Sequence, residues 1–503
     1  MNKIRSSKAE NRPINVLPMH RRKFIELSTL GLLYSGIPFY YGFNRSENNI
    51  NEGRLSKNTR LDKYGGLKSL RFERSGYFRL EKKDRWWFVT PEGSAFLSFG
   101  LNHPDGEYML QDYNREFWRK KFGFTEKTDE VLRQKFIGKV MADLEYFGMN
   151  TIGTHAKKEY FGQPTVPYVQ GLYFVGTSYW RGPVINDFPD VYSPSFTGRC
   201  DRIAQRVVSP KKCDPFLLGY TLTDCPVLTD RDSAAHGQDP WGGPAPEAPT
   251  WPRVLRNMGP DAPGKQAFMS VIKKRYTEIS NFNKIYRTRF HSFDSLLTTE
   301  NWSSFIKAQE VDDEADNHAF LTDILEKYYT IACSTIHKYD PNHLIFGDII
   351  NAQTPPPDDI VSLMTGYSDL VAYQYYGVYD EQVHLLDNWS TMSGKPLFHA
   401  DSSFSVPYKE MPNPIGAVCP DTETRANRFL DFATRAFQRP DFIGWNWCGW
   451  MDAWEEWKRV RQHTGLQDPF GNYHHPMPEA MKWFGSRLYR FGRKKNIPVI
   501  PVY

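Results

Sequence analysis

Cysteine is scarce in this chain, and several common functional motifs are missing. The 503 residues include six cysteines, and none shows Cys-x-x-Cys spacing, which excludes a disulfide-built scaffold and a structural zinc site. There is also no G-x-x-x-x-G-K-[ST] phosphate loop, no H-E-x-x-H pair and no G-x-S-x-G elbow. His474 and His475 are adjacent, which is poor spacing for metal ligands. The sequence therefore predicts no metal ion and no cofactor.

An excess of charge of one sign is also lacking once the first 50 residues are set aside. The formal net charge of +5 comes from 63 Lys and Arg against 58 Asp and Glu. Residues 1–50 contain eight of the former and three of the latter, so 55 of each remain. A neutral remainder has no basic surface for nucleic acid, and we expect no nucleic-acid partner.

No apolar run is long and continuous enough to predict a stable membrane span. Residues 27–43 are apolar but are interrupted by Gly and Pro. They follow a basic segment with paired arginines at 21 and 22, a pattern that resembles a twin-arginine export signal. No clear small-x-small cleavage site follows, so an uncleaved anchor stays open. We expect residues 1–50 to be an export signal or anchor, and the protein to be periplasmic or at the outer surface.

Short apolar runs alternate with helical patterns along the rest of the chain. Eight runs have the length and composition of strands, at 95–100, 149–155, 168–175, 216–223, 343–350, 370–376, 396–400 and 442–447. Strands that alternate with helices indicate a parallel α/β fold, and eight of them indicate closure. The sequence thus predicts a (β/α)8 TIM barrel.

Three other segments complete the predicted organisation. Residues 51–66 are polar and indicate a linker, and 67–495 would form a single barrel domain. Within it, 77–80 and 86–89 flank a charged turn and predict a small N-terminal hairpin. Residues 226–264 follow the fourth strand and are rich in Pro and Gly, which disfavours a long helix. We expect them to be a loop insertion that walls one side of a cleft.

Two aspartates stand at the ends of predicted barrel strands. Asp224 follows the fourth strand and Asp401 follows the seventh, and these strands face each other across a barrel. Cleavage of a glycosidic bond needs one carboxyl group to protonate the leaving oxygen and a second to attack or stabilise the sugar. We expect Asp224 to be the proton donor and Asp401 the nucleophile or base. A capping role for either aspartate stays open.

Further residues near the strand ends are candidates for binding a sugar. Aromatic residues make up 15% of the chain, and flat rings suit the apolar faces of sugars. The candidates are Asn102, His103, His155, Asp348, Gln374, Tyr375, Tyr376, Trp445, Trp447, Trp450 and Asp452. Asp348 is also an alternative candidate for the proton donor.

The aromatic candidates carry more specific expectations. Because side chains alternate along a strand, either Gln374 and Tyr376 or Tyr373 and Tyr375 would contact substrate. A tyrosine beside Asp401 would donate a hydrogen bond to it and lower its pKa. One tryptophan of the 445–450 cluster would provide a floor on which a sugar stacks.

The run WWFVTPEGSAFLSFGLNH at 86–103 resembles the opening of β-agarase-like glycoside hydrolases, commonly placed in family 50. More loosely it resembles the barrel β-galactosidases of the same clan. Segments that fall where this pattern expects them are 188–196, 218–224, 339–347, 369–377, 395–401 and 443–468, so the resemblance covers most of 75–485. It implies a barrel enzyme that cleaves a β-linked, galactose-containing polysaccharide or oligosaccharide with retention.

The chain departs from that family at both catalytic positions. In the family the fourth strand ends in an Asp-Asn-Glu-like segment whose Glu is the acid/base, whereas Pro226 stands at that position here. Asp401 replaces the nucleophilic Glu of the seventh strand. Two short side chains widen the gap between carboxyl groups, which favours inversion. Two alternatives stay open, namely a glycan-binding barrel that has lost its acid, and a barrel enzyme that uses Asp348 and a histidine for elimination.

Overall fold

The computed structural model describes residues 60–126, 130–156, 165–178, 185–235, 250–300, 302, 310–414, 416–454, 464–493 and 500–503. The predicted export signal at 1–50 lies outside these residues, as do most of the linker at 51–66 and part of the insertion at 226–264. The expectations for those segments stay predictions.

The β-strands of the described residues fall into one closed barrel and three small sheets. In chain order they are β1 (Leu67–Arg71), β2 (Arg79–Lys82), β3 (Trp86–Val89), β4 (Ser94–Phe96), β5 (Ser98–Asn102), β6 (Thr151–Ile152), β7 (Tyr168–Gly171), β8 (Gly176–Ser178), β9 (Ile185–Asp187), β10 (Leu217–Asp224), β11 (Leu344–Asn351), β12 (Val371–Gln374), β13 (Leu397–Ser402), β14 (Phe404–Ser405), β15 (Ala417–Val418) and β16 (Phe442–Cys448).

Eight parallel strands close into a ring, in the order β5-β6-β7-β10-β11-β12-β13-β16 and back to β5. All eight overlap the predicted runs, so the (β/α)8 barrel is confirmed. The strand neighbours follow chain order around the ring, as right-handed crossovers require.

Helices surround the barrel. In chain order the α-helices of the described residues are α1 (Arg115–Phe122), α2 (Glu130–Phe147), α3 (Pro194–Val207), α4 (Asp230–Ala235), α5 (Trp251–Arg256), α6 (Pro263–Tyr276), α7 (Ile279–Tyr286), α8 (Phe293–Leu297), α9 (Glu310–Tyr339), α10 (Asp358–Gly366), α11 (Tyr379–Ser393), α12 (Thr422–Gln438), α13 (Met477–Gly485) and α14 (Leu488–Gly492). Within the described part of the chain, none of them is both long and apolar enough to cross a membrane.

The N-terminal hairpin is part of a four-stranded antiparallel sheet, in the order β1-β4-β3-β2. This changes the predicted first barrel strand at 95–100. Its first half is β4, which pairs with β1 and β3, and the barrel strand β5 begins only at Ser98. A continuous apolar run shows that both faces are buried, but it does not show which partner each half pairs with.

The small sheet closes the end of the barrel where the strands begin. Phe88 of β3 packs against Phe346 and Phe398, with ring centroids 6.1 Å away in each case. Two glycines make room for these rings, because a Cβ at Gly219 would lie 2.7 Å from Phe346 and one at Gly444 would lie 2.6 Å from Phe398. Aromatic rings fill this end of the barrel. A functional site is therefore expected at the opposite end, where the strands terminate.

The described part of the 226–264 insertion is partly helical. It contains the short helices α4 and α5, and α6 begins at Pro263. Two arginines of α5 attach it to Asp313 of α9, with N–O distances of 2.8 Å for Arg253 and 2.7 Å for Arg256. Trp251 stacks on Phe188 with a centroid distance of 4.9 Å. The insertion predicted after the fourth strand is thus present, and in these residues it contains short helices rather than a long one, docked onto the helical layer by charged and aromatic side chains.

We predict that Arg85 holds the N-terminal sheet to the barrel. Its guanidinium is buried and donates to the carbonyl oxygens of Phe437 (2.7 Å), Gly492 (3.0 Å) and Phe442. Arg85→Met should lower the free energy of unfolding by about 3 kcal/mol or more, since buried acceptors lose a charged donor. Denaturant unfolding followed by tryptophan fluorescence measures this.

The matched control is Arg79→Met, which removes an arginine that pairs with Glu81 at the surface of the same sheet. We expect that change to cost under about 1 kcal/mol. An equal decrease in the free energy of unfolding in the two variants would contradict the role assigned to Arg85.

Candidate active site

Asp401 lies fully buried near the end of β13 and faces the barrel interior. The preceding His399 faces outward, where its ring stacks on Tyr373 at 4.5 Å and on Trp445 at 5.7 Å. Regular alternation would turn Asp401 outward as well. However, the β12–β13 register shifts here. Tyr373 pairs with His399 and the next residue, Gln374, pairs with Asp401, so β13 has one extra residue between the two pairs. This bulge turns the carboxylate inward.

Four polar side chains surround the Asp401 carboxylate. Asn102 donates to its Oδ1 at 2.5 Å and Tyr376 donates to its Oδ2 at 2.9 Å. The Nε2 atoms of His103 and His155 lie 3.7 and 3.9 Å from Oδ2. Asn102 is on β5, which does not neighbour β13 in the ring, so these contacts run through the barrel interior. The expected tyrosine beside Asp401 is therefore Tyr376.

These neighbours keep Asp401 ionised. Burial raises the pKa of a carboxyl group. Here the nearby His103 and His155, together with the hydrogen bond from Asn102, outweigh burial and lower the pKa of Asp401 to about 2.

Asp224 ends β10 and has the opposite electrostatic character. Burial and the negative charge of Asp401 raise the pKa of Asp224 to about 7, although His103 offsets part of the rise. The chain turns away immediately afterwards, because Cys225 has a φ of 44° in the left-handed region. Non-glycine residues rarely adopt this backbone conformation, and it is found disproportionately at functional sites.

The structure brings the two predicted aspartates together. His155 Nε2 lies 3.8 Å from Oδ2 of Asp224 and 3.9 Å from Oδ2 of Asp401, so these oxygens are no farther apart than the sum of the two distances. That limit is compatible with the separation of about 5–5.5 Å found in retaining glycosidases and with the lower part of the range of about 6.5–9.5 Å found in inverting ones.

The two histidines form a stacked pair beside the aspartates. The rings of His103 and His155 are 4.9 Å apart and nearly parallel, at 6°. His103 has a φ of 53°, which turns the chain sharply at the end of β5. One nitrogen from each ring and one oxygen of Asp401 lie within 4.8 Å of one another, a set that could hold a metal ion. The motif search missed this set because its members follow three different strands.

Tyr173 belongs to the site but was not singled out from the sequence. Its hydroxyl lies 3.3 Å from Nδ1 of His155, and 45% of the residue is exposed. Burial of the hydroxyl end and the charges of Asp224 and Asp401 raise its pKa. The available signal was its position just after the third barrel strand, equivalent to those of His103 and His155 on the first two.

Asp348 lies away from this site, and the expectation that it binds substrate was wrong. Its carboxylate accepts hydrogen bonds from Tyr329 at 2.7 Å and Tyr328 at 3.4 Å, both on α9. The preceding Gly347 has a φ of 77°, and the β10–β11 register shifts at this point, so the aspartate faces the helical layer. Burial raises the pKa of Asp348 to about 6.

Asp452 is engaged by the chain that follows β16, and its predicted contact with substrate stays a prediction. It is fully buried and accepts a hydrogen bond from the backbone N–H of Gly465 at 2.8 Å. Nε2 of His474 lies 2.7 Å from its other oxygen. The aspartate therefore anchors the chain that follows β16.

The three tryptophans of the cluster are core residues, so the expected stacking floor was wrong. All three are fully buried. Trp445 packs on Phe432 of α12 at 4.7 Å. The indole N–H of Trp447 donates to the carbonyl of Thr464, and that of Trp450 donates to Asp143.

Alternation along β16 explains the outward rings of Trp445 and Trp447, because it turns Asn446 inward. Trp450 lies beyond the end of this strand. A Cβ at Gly100 would lie 2.4 Å from the Asn446 side chain, and one at Gly153 would lie 1.8 Å from that of Asn102. These glycines therefore leave the room that the two asparagines occupy. Asn446 was missed because the aromatic letters on each side of it dominate the pattern.

The residues that close the sixth strand divide as alternation requires. Gln374 is buried and lies opposite Asp401 in the ladder, and Tyr376 contacts Asp401. Tyr375 instead turns away and donates to Glu381 at 3.0 Å. Of the two predicted sets, the structure selects Gln374 with Tyr376, so Tyr375 was wrongly placed among the site residues.

No family model and no curated protein matches the chain. Solved structures do match it. An exo-beta-agarase superposes with a TM-score of 0.69 at 17% identity, covering 86% of this chain and 68% of that one. The agarase AgWH50C gives 0.67 at 16%, covering 95% and 72%. BpGH50 gives 0.60 at 16%, covering 91% of each chain.

The chain shares its fold with family 50 agarases. The resemblance noted in the sequence is thereby confirmed for the fold over most of the chain. At such low identity the comparison concerns architecture, and any activity has to be argued from the site.

We predict opposite effects on stability when each aspartate is made neutral. The folded-state pKa of Asp224 is raised, so the stability it contributes is complete below its unfolded pKa of about 3.9 and is lost as pH rises through about 7. Asp224→Asn should therefore be more stable than wild type at pH 8, by on the order of a few kcal/mol, and nearly equal to it at pH 4. Calorimetric melting at both pH values measures the difference.

Asp401→Asn is the matched counterpart. Because the pKa of Asp401 is lowered, its stabilisation is present above about pH 3.9 and is lost as pH falls towards 2. The variant should melt below wild type at about pH 5, where Asp401 is charged and Asp224 still holds its proton. Equal shifts of the same sign in both variants would contradict the electrostatic description of the pair.

Proposed function

We propose that this protein is a glycoside hydrolase that cleaves a β-linked, galactose-containing polysaccharide or oligosaccharide. One observation carries the proposal, namely that two neighbouring buried carboxyl groups favour opposite protonation states. Burial and the charge of Asp401 raise the pKa of Asp224 to about 7, whereas His103, His155 and Asn102 lower the pKa of Asp401 to about 2. At a pH between these values, one group holds a proton and the other is charged. Glycosidic cleavage requires this combination.

The roles follow from the proton states. Asp224 would donate its proton to the leaving oxygen of the glycosidic bond. Asp401 would act on the opposite side of the sugar, either by attacking the anomeric carbon, with retention, or by activating a water molecule, with inversion. Asn102 and Tyr376 position Asp401 through their hydrogen bonds.

Asp224 would replace the missing glutamate of the resembling family. Pro226 has no proton to donate, but Asp224 stands two residues earlier at the end of the same strand. The left-handed backbone at Cys225 turns the chain away directly after it. The acid is thus supplied from within the strand, where burial raises its pKa.

The substrate class is proposed from two further observations. The fold is shared with structures described as agarases. In addition, Tyr173 exposes an aromatic ring beside the aspartates, and such a face suits a pyranose ring. A polymeric substrate would also account for the export signal predicted at residues 1–50, because polysaccharides are met outside the cytoplasm.

A glycan-binding barrel without catalysis is the second candidate. Pro226 at the position of the family acid favours it. The elimination alternative is not carried further, because its proposed base, Asp348, is held by Tyr328 and Tyr329 on the helical side of the barrel wall.

We predict that the protein releases reducing ends from a panel of algal and plant galactans. Asp224→Asn and Asp401→Asn should each lower kcat/KM by at least about 100-fold, since each removes a group that acts in the transition state. The control Asp359→Asn makes the same chemical change at an exposed position on α10 and should retain activity. Binding of galactan by wild type without release of reducing ends would support the glycan-binding barrel instead.

We also predict a pH profile with its basic limb near pH 7. Activity needs Asp224 protonated and Asp401 ionised, so kcat/KM should fall as pH rises through about 7. The charge of Asp401 is one cause of the raised pKa, so Asp401→Asn should shift the titration of Asp224 to lower pH. Carboxyl-carbon NMR measures that titration directly, and an unchanged value in the variant would contradict the coupling.

A further inference from the structure

We propose that His103, His155 and Asp401 together bind one divalent transition-metal ion of the Zn²⁺ class, with Asp224 beside it. Nε2 of His103 lies 3.7 Å from Oδ2 of Asp401. Nε2 of His155 lies 3.9 Å from the same oxygen and 3.8 Å from Oδ2 of Asp224. Two imidazole nitrogens and one oxygen of Asp401 thus lie within 4.8 Å of one another, and Asp224 adjoins His155.

These distances suit ligands that share an ion. Direct hydrogen bonds between such groups are about 2.7–3.2 Å long, and all three separations exceed that range. Ligand atoms bound at about 2.0–2.2 Å to a tetrahedral ion lie about 3.4 Å apart. Every pair in the set of three lies within 4.8 Å, so side-chain rotations would bring the ligand atoms to that spacing.

Several contacts already position the ligand groups. Nε2 of His103 and Nε2 of His155 lie 3.7 and 3.9 Å from the same oxygen of Asp401. Because the rings are stacked and nearly parallel, and the lone pair of an imidazole nitrogen lies in the plane of its ring, one ring would tilt when the ion binds. At His155, the other ring nitrogen lies 3.3 Å from the hydroxyl of Tyr173, which can accept its N–H and leave Nε2 with a lone pair. Asn102 holds the second oxygen of Asp401. Outer contacts of this kind support ligands in protein metal sites.

Charge also favours a cation here. Both aspartates are buried, and within the described part of the chain the ion pairs formed by Asp401 are those to the two histidines. A divalent ion would neutralise two carboxylates that lie close together at low dielectric. Imidazole ligands favour Zn²⁺ and neighbouring transition metals, whereas Mg²⁺ and Ca²⁺ favour oxygen ligands only.

The ion would compete with hydrolysis. It would occupy Oδ2 of Asp401, which the proposed reaction needs to direct at the sugar. Metal binding should therefore switch the enzyme off reversibly. This consequence rests on the proposed hydrolase function, whereas the binding itself does not.

The test uses the full chain after treatment with a chelator. Titration with Zn²⁺, followed by calorimetry and by competition with a chromogenic chelator, should give one ion per chain. His103→Gln, His155→Gln and Asp401→Asn should each weaken binding at least tenfold. His318→Gln, which changes a histidine on α9 paired with Asp359, should not alter it. Excess Mg²⁺ should not displace the ion.

A spectroscopic measurement on the wild-type protein tests the site without relying on variants, which can fail to fold. Co²⁺ added to the wild-type protein should give the visible absorption of a four-coordinate nitrogen and oxygen site, and Zn²⁺ should abolish it. Absence of stoichiometric binding, or binding unaffected by the three ligand changes in folded protein, would overturn the site.

Activity measurements separate this proposal from the previous one. Hydrolysis in chelator that Zn²⁺ abolishes would support both. Stoichiometric binding with no hydrolysis under any condition would support the metal site and overturn the hydrolase. Hydrolysis that persists with the site loaded would overturn the competition.

Discussion

The burial of a charged Asp401 is the constraint on which the rest of the site depends. A carboxylate removed from water normally takes up a proton unless donors or positive charge compensate it. Here Asn102 and Tyr376 donate to it, and the two histidines lie close by. Together with Asp401 these residues come from the ends of four strands, β5, β6, β12 and β13, so the closed ring of strands is what brings them together.

The charge of Asp401 also sets the state of Asp224. Two ionised carboxylates at this separation and burial would repel each other strongly, so the second pKa rises. Such a pair destabilises the folded protein, and active sites often carry a cost of this kind. The aromatic cluster of Phe88, Phe346 and Phe398 lies at the other end of the barrel, where it stabilises the fold without depending on the site.

The negative charge of Asp224 and Asp401 at the barrel mouth can be neutralised in two ways. A proton on Asp224 leaves a donor and a charged base, which is the arrangement for cleaving a glycosidic bond. A divalent ion between the carboxylates and the histidines satisfies the same electrostatics but blocks that reaction. Nε2 of His103 and Nε2 of His155 lie 3.7 and 3.9 Å from Oδ2 of Asp401, which makes the second arrangement geometrically available.

The sequence by itself determined the barrel, the approximate positions of its eight strands, and the two aspartates at the ends of the fourth and seventh strands. Apolar runs and the residues that end them are local features, so they can be recognised without knowing their partners. The tertiary structure decided which way side chains face, since a bulge turns Asp401 inward, a left-handed Gly347 turns Asp348 outward, and strand alternation sends the tryptophans into the core. It also decided which residues contact one another. The contact of Tyr173 with His155 and the stacking of the two histidines join different strands, and such contacts exist only once the ring has closed.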